Sequence, residues 1–211
     1  ALVHNLQRVR AAAPGRRVAA AVKADGYGHG LQWVARTLKA DAFAVACIEE
    51  ALILRAAGVT RPILLLEGVF EAAELPLCAD HGLEIAVHHP EQARMLETAR
   101  LERPLRVWLK MDTGMHRLGL EPEATPAIFR RVRDSVVATP NIGLMSHLAR
   151  ADERDCDDTL RQLRVFENAI NGLPGERSLA NSAGILGWPQ THFDWVRPGI
   201  MLYGASPFVD S

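Results

Sequence analysis

No apolar run in the sequence approaches the length of a bilayer span; the most apolar patch, Ile63-Leu64-Leu65-Leu66, stops at Glu67. An excess of charge of one sign is lacking too. With 24 lysines and arginines against 25 aspartates and glutamates the net charge is −1, so no basic field is available for nucleic acid or an acidic membrane surface. Cysteine is scarce: Cys47, Cys78 and Cys156 are odd in number and far apart, which fits reduced thiols in a cytoplasmic protein and no disulfide framework. They lack zinc spacing, and no histidine pair is backed by a carboxylate cluster, so no metal is expected. His29, His88, His89, His116 and His192 are accordingly read as structural or exposed. Low-complexity segments, a signal peptide and an initiator Met are absent as well. The sequence closes on Phe208-Val209-Asp210-Ser211 with no final element, so the chain is expected to be a piece of a longer protein.

What is present is the composition of a soluble globular domain: 211 residues, 48% hydrophobic and 23% charged. Eight short β-prone runs, at residues 18–22, 42–46, 62–66, 84–87, 105–110, 142–146, 177–180 and 195–197, alternate with helical ones. Helical patterns cover the stretch before Pro14-Gly15, then 31–39, 49–57, 71–81, a stretch opened by Pro90, 124–137, a stretch after the acidic loop 152–158, and a short one after Ser182. Strands alternating with helices mean parallel strands joined by crossovers. Eight such units predict an α/β fold, a closed (β/α)8 TIM-type barrel spanning 1–211. A doubly wound open sheet is the competing architecture. It would carry Gly-x-Gly-x-x-Gly after its first strand, where this sequence has Gly26, Gly28 and Gly30 at a period of two.

In such a barrel the functional groups lie beyond the carboxyl ends of the strands. Lys23 follows strand one and precedes the glycine-rich turn. A lysine there is costly to bury unless paired or chemically used; a partly desolvated amine attacks an aldehyde to form a Schiff base, and the plainer alternative is a side chain that snorkels to solvent. Strand five ends at Lys110 and runs into Asp112-Thr113-Gly114-Met115-His116-Arg117-Leu118-Gly119, so Lys110 and Arg117 put two cations on one loop and call for an anion, with Asp112 the ordinary candidate. Strand six leads to His147, read as a hydrogen-bonding residue, and strand seven to Asn181-Ser182. Strand eight leads to Arg197-Pro198-Gly199-Ile200, with Tyr203 beyond. A buried arginine keeps its charge and needs acceptors, so Arg197 is either half of a structural ion pair or a donor to a ligand. The helix start at Asn181-Ser182, with the amides of Gly199 and Ile200 one strand over, makes a phosphate cup where barrels commonly hold phosphate; a simple N-cap is the plainer role for Ser182. A Schiff-base lysine, a phosphate cup and a barrel together point to pyridoxal 5'-phosphate.

On these residues the chain resembles the alanine racemases. Ala21-Val22-Lys23-Ala24-Asp25-Gly26-Tyr27-Gly28-His29-Gly30 is similar to their cofactor-lysine motif, and Leu109-Lys110-Met111-Asp112-Thr113-Gly114-Met115-His116-Arg117-Leu118-Gly119 to a second signature. Ser146-His147-Leu148-Ala149, Asn181-Ser182-Ala183 and Val196-Arg197-Pro198-Gly199-Ile200-Met201-Leu202-Tyr203-Gly204 are similar to three more, in order across essentially the whole chain. The resemblance implies that Lys23 holds the cofactor covalently and moves a proton on one face of the substrate. It implies that Tyr27, Ser182, Gly199 and Ile200 contact the phosphate, with Asn181 beside them. Arg197 would face the pyridine nitrogen with His147 behind it, and Arg117 would contact the phenolic oxygen and the substrate carboxylate. Lys110 matches a lysine that is carbamylated in some members, which would give Arg117 its missing anion. An arginine at the ring nitrogen only donates, so that nitrogen stays unprotonated, which favours return of a proton to Cα over transamination.

The implied activity is the pyridoxal-phosphate-dependent interconversion of L-alanine and D-alanine, an isomerase reaction serving D-alanine biosynthesis for the cell wall or alanine catabolism. The implied assembly is a cytoplasmic homodimer with a shared active site. The family's second acid–base group is a tyrosine from a C-terminal β domain of the other subunit. This sequence ends just past Ser206-Pro207, where that domain would begin; neither Tyr27 nor Tyr203 lies in the matching motif, and the short β segment before the first helix is missing. The chain is therefore expected to be the barrel domain alone, truncated at both ends, and weakly active or inactive in isolation. Besides the plain alternative of a barrel whose lysine is only structural, two other readings compete. One is a single-domain pyridoxal-phosphate carrier or homeostasis protein, whose lysine motif differs and which lacks the loop from Asp112 to Gly119. The other is a different barrel-type pyridoxal-phosphate racemase or decarboxylase, which the motifs separate less well.

Overall fold

Ala42-Phe43-Ala44-Val45 is buried along its whole length, as a parallel strand covered on both faces must be. The same holds for most of its counterparts, and the computed structural model arranges them in one closed sheet. Residues 1–208 are described; Val209, Asp210 and Ser211, with which the sequence closes, lie outside the described residues. The strands are β1 (Arg17–Ala21), β2 (Ala42–Val45), β3 (Ile63–Leu65), β4 (Glu84–Val87), β5 (Arg106–Lys110), β6 (Gly143–Met145), β7 (Arg177–Ser178) and β8 (Trp195–Val196). Each pairs in parallel with the next in sequence, and β8 returns to β1 through Arg17↔Trp195 and Val18↔Val196, which closes the barrel. The expected (β/α)8 architecture is the observed one.

The helices outside the barrel are Leu2–Ala12, Leu31–Thr37, Ile48–Ala56, Glu74–Asp80, Pro90–Thr98, Thr125–Asp134, Asp158–Ala169 and Ser182–Gly187. None of the described residues forms a helix long and apolar enough to cross a membrane. The clearest departure from expectation is the helix at 71–81, which begins at Glu74. The Glu74 carboxylate accepts from the amides of Phe70 and Glu71 at 2.6 and 3.1 Å, so the preceding residues form a turn that its own side chain closes. Strand β7 is also shorter than 177–180, although its line continues: the Arg197 amide donates to the Ala180 carbonyl at 2.9 Å.

The main core lies between sheet and helices, while a separate small cluster fills the barrel. Inside, Ala19, Ala42 and Ala86 leave room for the indoles of Trp108 and Trp195, which meet edge to face at 6.3 Å. Gly143 serves the same end, since a Cβ there would stand 2.2 Å from the Trp108 ring.

Below the indoles an ionic floor closes the end away from the site. Glu176 accepts from Arg17, Arg106 and the Trp195 Nε1–H, and Glu84 accepts from the Trp108 Nε1–H at 2.7 Å. Burial alone would raise the Glu176 pKa, but the bonds from Arg17, Trp195 and Arg106 hold it below the ordinary carboxylate value. Its contribution to stability is thus present above the ordinary carboxylate pKa and is lost as pH falls through that value and the lower folded one. Glu176→Ala is expected to cost about 2 kcal/mol at pH 7, with the difference fading on acidification, as read from urea unfolding.

Candidate functional site

The turn after β1 is left-handed. Ala24, Asp25, Gly26 and Tyr27 have φ of 52, 52, 62 and 55°. Glycine adopts this region freely, but the other three residues each lose about 1–2 kcal/mol there, so the conformation must be held from outside. Asp25 Oδ1 accepts from the Leu31 amide at 2.8 Å, the Gly26 amide donates to Val22 O at 2.8 Å, and the Ala24 amide donates to Glu50 Oε1 at 2.6 Å. Gly26 also has no space for a side chain: a Cβ would lie 2.9 Å from Val34 Cγ2. The result is that Lys23 and Tyr27 both line one cavity at the carboxyl ends of the strands, about 400 Å³ in volume.

That cavity collects every site residue expected from the sequence: Lys23, Tyr27, Lys110, Arg117, His147, Asn181, Ser182, Arg197, Gly199 and Ile200. Tyr27 stacks on Tyr203 with ring centres 4.6 Å apart, and the Tyr203 hydroxyl is tied to Ala21 O at 3.0 Å. The Tyr27 hydroxyl lies over Gly199, where a Cβ would come within 2.4 Å of it. Burial raises the Tyr27 pKa, so the group remains a donor at neutral pH.

Next to it, Ser182 Oγ accepts from the amides of Gly199 and Met201 at 2.9 and 3.3 Å, which leaves the hydroxyl proton to be donated. Ile200 opens the 3-10 turn Ile200–Tyr203, so its amide has no acceptor within the turn. The N-cap of the helix Ser182–Gly187 is Asn181, not Ser182: Asn181 Oδ1 accepts from Gly184 N at 3.0 Å, while its Nδ2 donates to Leu148 O at 3.2 Å.

Arg197 is 5% exposed and has no carboxylate partner among the described residues. Its guanidinium donates to Ser178 Oγ and to the carbonyls of Ser146 and Leu179, bracketing the ends of β6, β7 and β8. Burial lowers its pKa to about 10, so it remains a cation at neutral pH. His147 Nδ1 lies 3.4 Å from Arg197 Nη2. Burial, then the charges of Arg197, Arg117, Lys110 and Lys23, push the imidazole pKa down to about 3. The ring is therefore neutral; with a guanidinium facing Nδ1, the proton sits on Nε2.

Asp112 does not answer the two cations of its loop. One carboxylate oxygen takes the amides of Gly114, Met115 and His116, and the other pairs with the exposed His116 ring at 3.1 Å. Arg117 and Lys23 form no side-chain hydrogen bond or ion pair among the described residues. Among the described residues Lys110, 5% exposed, reaches only Leu66 O, at 3.4 Å. Its burial, with Arg197 and Arg117 nearby, lowers its pKa from 10.5 to about 8.

Between those two values the unfolded chain keeps a proton that the folded chain has released, so this group's contribution to stability rises with pH across that window and is at its most unfavourable below it. In buffer freed of carbon dioxide, Lys110→Met is expected to stabilise the fold at pH 7 by up to about 3 kcal/mol, an advantage that shrinks toward pH 10.5, as measured by urea unfolding.

Residues 1–207 match the family model for alanine racemase, N-terminal domain. The chain belongs to that family. The biosynthetic alanine racemase of Escherichia coli (strain K12) is 54% identical over 211 residues, all of this chain and 59% of that protein. The crystal structure of biosynthetic alanine racemase from Pseudomonas aeruginosa matches with a TM-score of 0.94 at 45% identity, over 99% of this chain and 58% of that one. That of the alanine racemase from E. faecalis matches at 0.90 and 34% identity, over 98% and 58%. The chain thus spans less than two thirds of the length of these racemases.

Within this alanine racemase barrel the cavity holds two acids that the sequence pattern did not single out, Glu67 and Asp152. Glu67 lies just past β3, and the rule that selected the other strand ends would have selected it. Gln162 went unnoticed as well. It is 3% exposed and joins the loops after β5 and β6, donating to Thr113 Oγ1 at 3.1 Å and His147 O at 3.0 Å and accepting from Ala149 N at 2.8 Å.

Proposed function

We propose that this chain forms the pyridoxal-5'-phosphate-binding half of an alanine racemase, in which it supplies one of the two acid–base groups that interconvert L-alanine and D-alanine. The observation that carries the reading is Lys23: an amine with no partner among the described residues, opening onto the same cavity as the donors of a phosphate cup. The donor set fits the cofactor, since Lys23, Lys110, Arg117 and Arg197 outnumber the acids Glu67 and Asp152 around the cavity. When bound, pyridoxal phosphate supplies an aldehyde for a lysine and a conjugated ring that acidifies the substrate's Cα–H.

The remaining roles belong to the chain. The Tyr27 and Ser182 hydroxyls and the Ile200 amide donate to the phosphate, with the Gly199 amide holding Ser182 Oγ in place and Asn181 capping the helix beside it. Arg197, kept cationic, donates toward the ring nitrogen, and neutral His147 fixes the guanidinium from the side. Arg117 takes the cofactor's phenolic oxygen and orients the substrate carboxylate. Lys23 removes or returns the Cα proton on its own face. Lys110, whose low pKa provides free amine near neutrality, captures carbon dioxide as a carbamate with loss of a proton and becomes the anion that Arg117 lacks.

The opposing acid–base group comes from a C-terminal domain of a second subunit in a homodimer, and the scattered cysteines are in keeping with a reducing, cytoplasmic setting. In deuterium oxide with pyridoxal phosphate, this chain should exchange the Cα hydrogen of one alanine enantiomer well above the free-cofactor rate while inverting it poorly. Exchange at the free-cofactor rate would favour a carrier of the cofactor over an enzyme.

A further inference from the structure

Glu50 occupies the third position of the helix Ile48–Ala56, where a carboxylate ordinarily reaches back to the N-cap amide of its own helix. Here it reaches further. Oε2 accepts at 2.9 Å from the amide of Ala46, the residue before the N-cap Cys47, and Oε1 accepts at 2.6 Å from the amide of Ala24 on the loop of the neighbouring strand. The two strands are already joined there by the Val22 amide, which donates to Ala44 O at 2.9 Å. One carboxylate therefore ties off the end of the β1–β2 ladder and binds the peptide unit that links Lys23 to Ala24. That unit opens the left-handed turn, in which Ala24, Asp25 and Tyr27 are held in a region L-residues avoid.

We propose that Glu50 is a positioning residue that holds the left-handed turn so that Lys23 and Tyr27 face the cofactor cavity together. This rests on the reading of Lys23 as the cofactor lysine. Both oxygens are needed. Glutamine offers one acceptor and sets an NH2 group against the other amide, and aspartate is one methylene shorter, enough to serve Ala46 on its own side but not Ala24 across the ladder. Without the clamp the turn relaxes out of the left-handed region, and Lys23 and Tyr27 no longer converge.

The test compares the unsubstituted protein with Glu50→Gln and Glu50→Asp, and with Glu49→Gln on the same helix as control. Amide exchange without cofactor should accelerate about tenfold at Ala24 and not at Ala46 in Glu50→Asp, and in Glu50→Gln at whichever of Ala24 and Ala46 faces the NH2 group, while amides of β4 to β6 are unaffected. The dissociation constant for pyridoxal phosphate, followed by the visible band of the lysine-bound cofactor, should rise about tenfold in both, by more than any change in urea midpoint explains. Should Glu50→Gln not fold, Glu50→Asp carries both readouts. Uptake of cofactor by the Glu50 variants as tight as that of the unsubstituted protein would overturn the proposal alone. Failure of the unsubstituted protein to form the band would overturn the reading of Lys23 and this proposal with it.

Discussion

With Lys23 as the proposed cofactor lysine, Lys23→Ala is expected to lower racemisation by the protein carrying this chain by at least about a thousandfold, because on that reading one substitution removes both the covalent attachment and one of the two proton-transfer groups. The fold should hardly notice. The Lys23 side chain has no hydrogen bond or ion pair among the described residues, so the urea midpoint should shift by no more than about 0.5 kcal/mol equivalent. Lys110 is the one other amine among the described residues lining the cavity, with a pKa of about 8 that makes part of it nucleophilic at neutral pH. It cannot substitute. It is anchored at the end of β5, reaches Leu66 O, and lies across the barrel mouth from β1. Residual cofactor capture by Lys23→Ala, if it occurs at Lys110, should not restore turnover, and a kinetic assay on the variant checks this.

The second large effect is on stability. Arg197→Leu should cost about 3 kcal/mol, measured by urea unfolding without cofactor. The guanidinium is the common donor to Ser178 Oγ and to the carbonyls of Ser146 and Leu179, so its removal leaves buried acceptors unpaired at the ends of two strands. This cost also decides how the pairing of an arginine with the ring nitrogen can be studied. Arg197→Glu, which would favour a protonated ring nitrogen and more transamination, places a carboxylate against those same carbonyls and loses fold along with chemistry. A change in its product ratio is interpretable only at a matched folded fraction.

The barrel was legible because its signal is periodic. Apolar runs such as 42–46 alternate with amphipathic helices, and only parallel strands with crossovers satisfy that order. The placement of the ten expected site residues was legible for a related reason, since a barrel brings the residues after each strand to one rim. What escaped were the supports. The left-handed turn contains Ala24 and Tyr27, which sequence rules do not assign to that region, and the carboxylate that reaches it from outside, Glu50, lies 26 residues from its partner Ala24. Gln162 escaped for the same reason: a polar residue in a helix declares itself buried only when the loops it joins are in place. Asp112 shows the converse error, a carboxylate beside two cations in sequence whose lone pairs are already taken by backbone amides.

The sequence holds three lysines, Lys23, Lys39 and Lys110. Borohydride reduction after incubation with pyridoxal phosphate, followed by peptide mass mapping, therefore tests most directly whether Lys23 is the cofactor lysine. The expected result is one stoichiometric label, on the peptide carrying Lys23, absent from Lys23→Ala. A label on Lys110, or one shared evenly with Lys39, would contradict it.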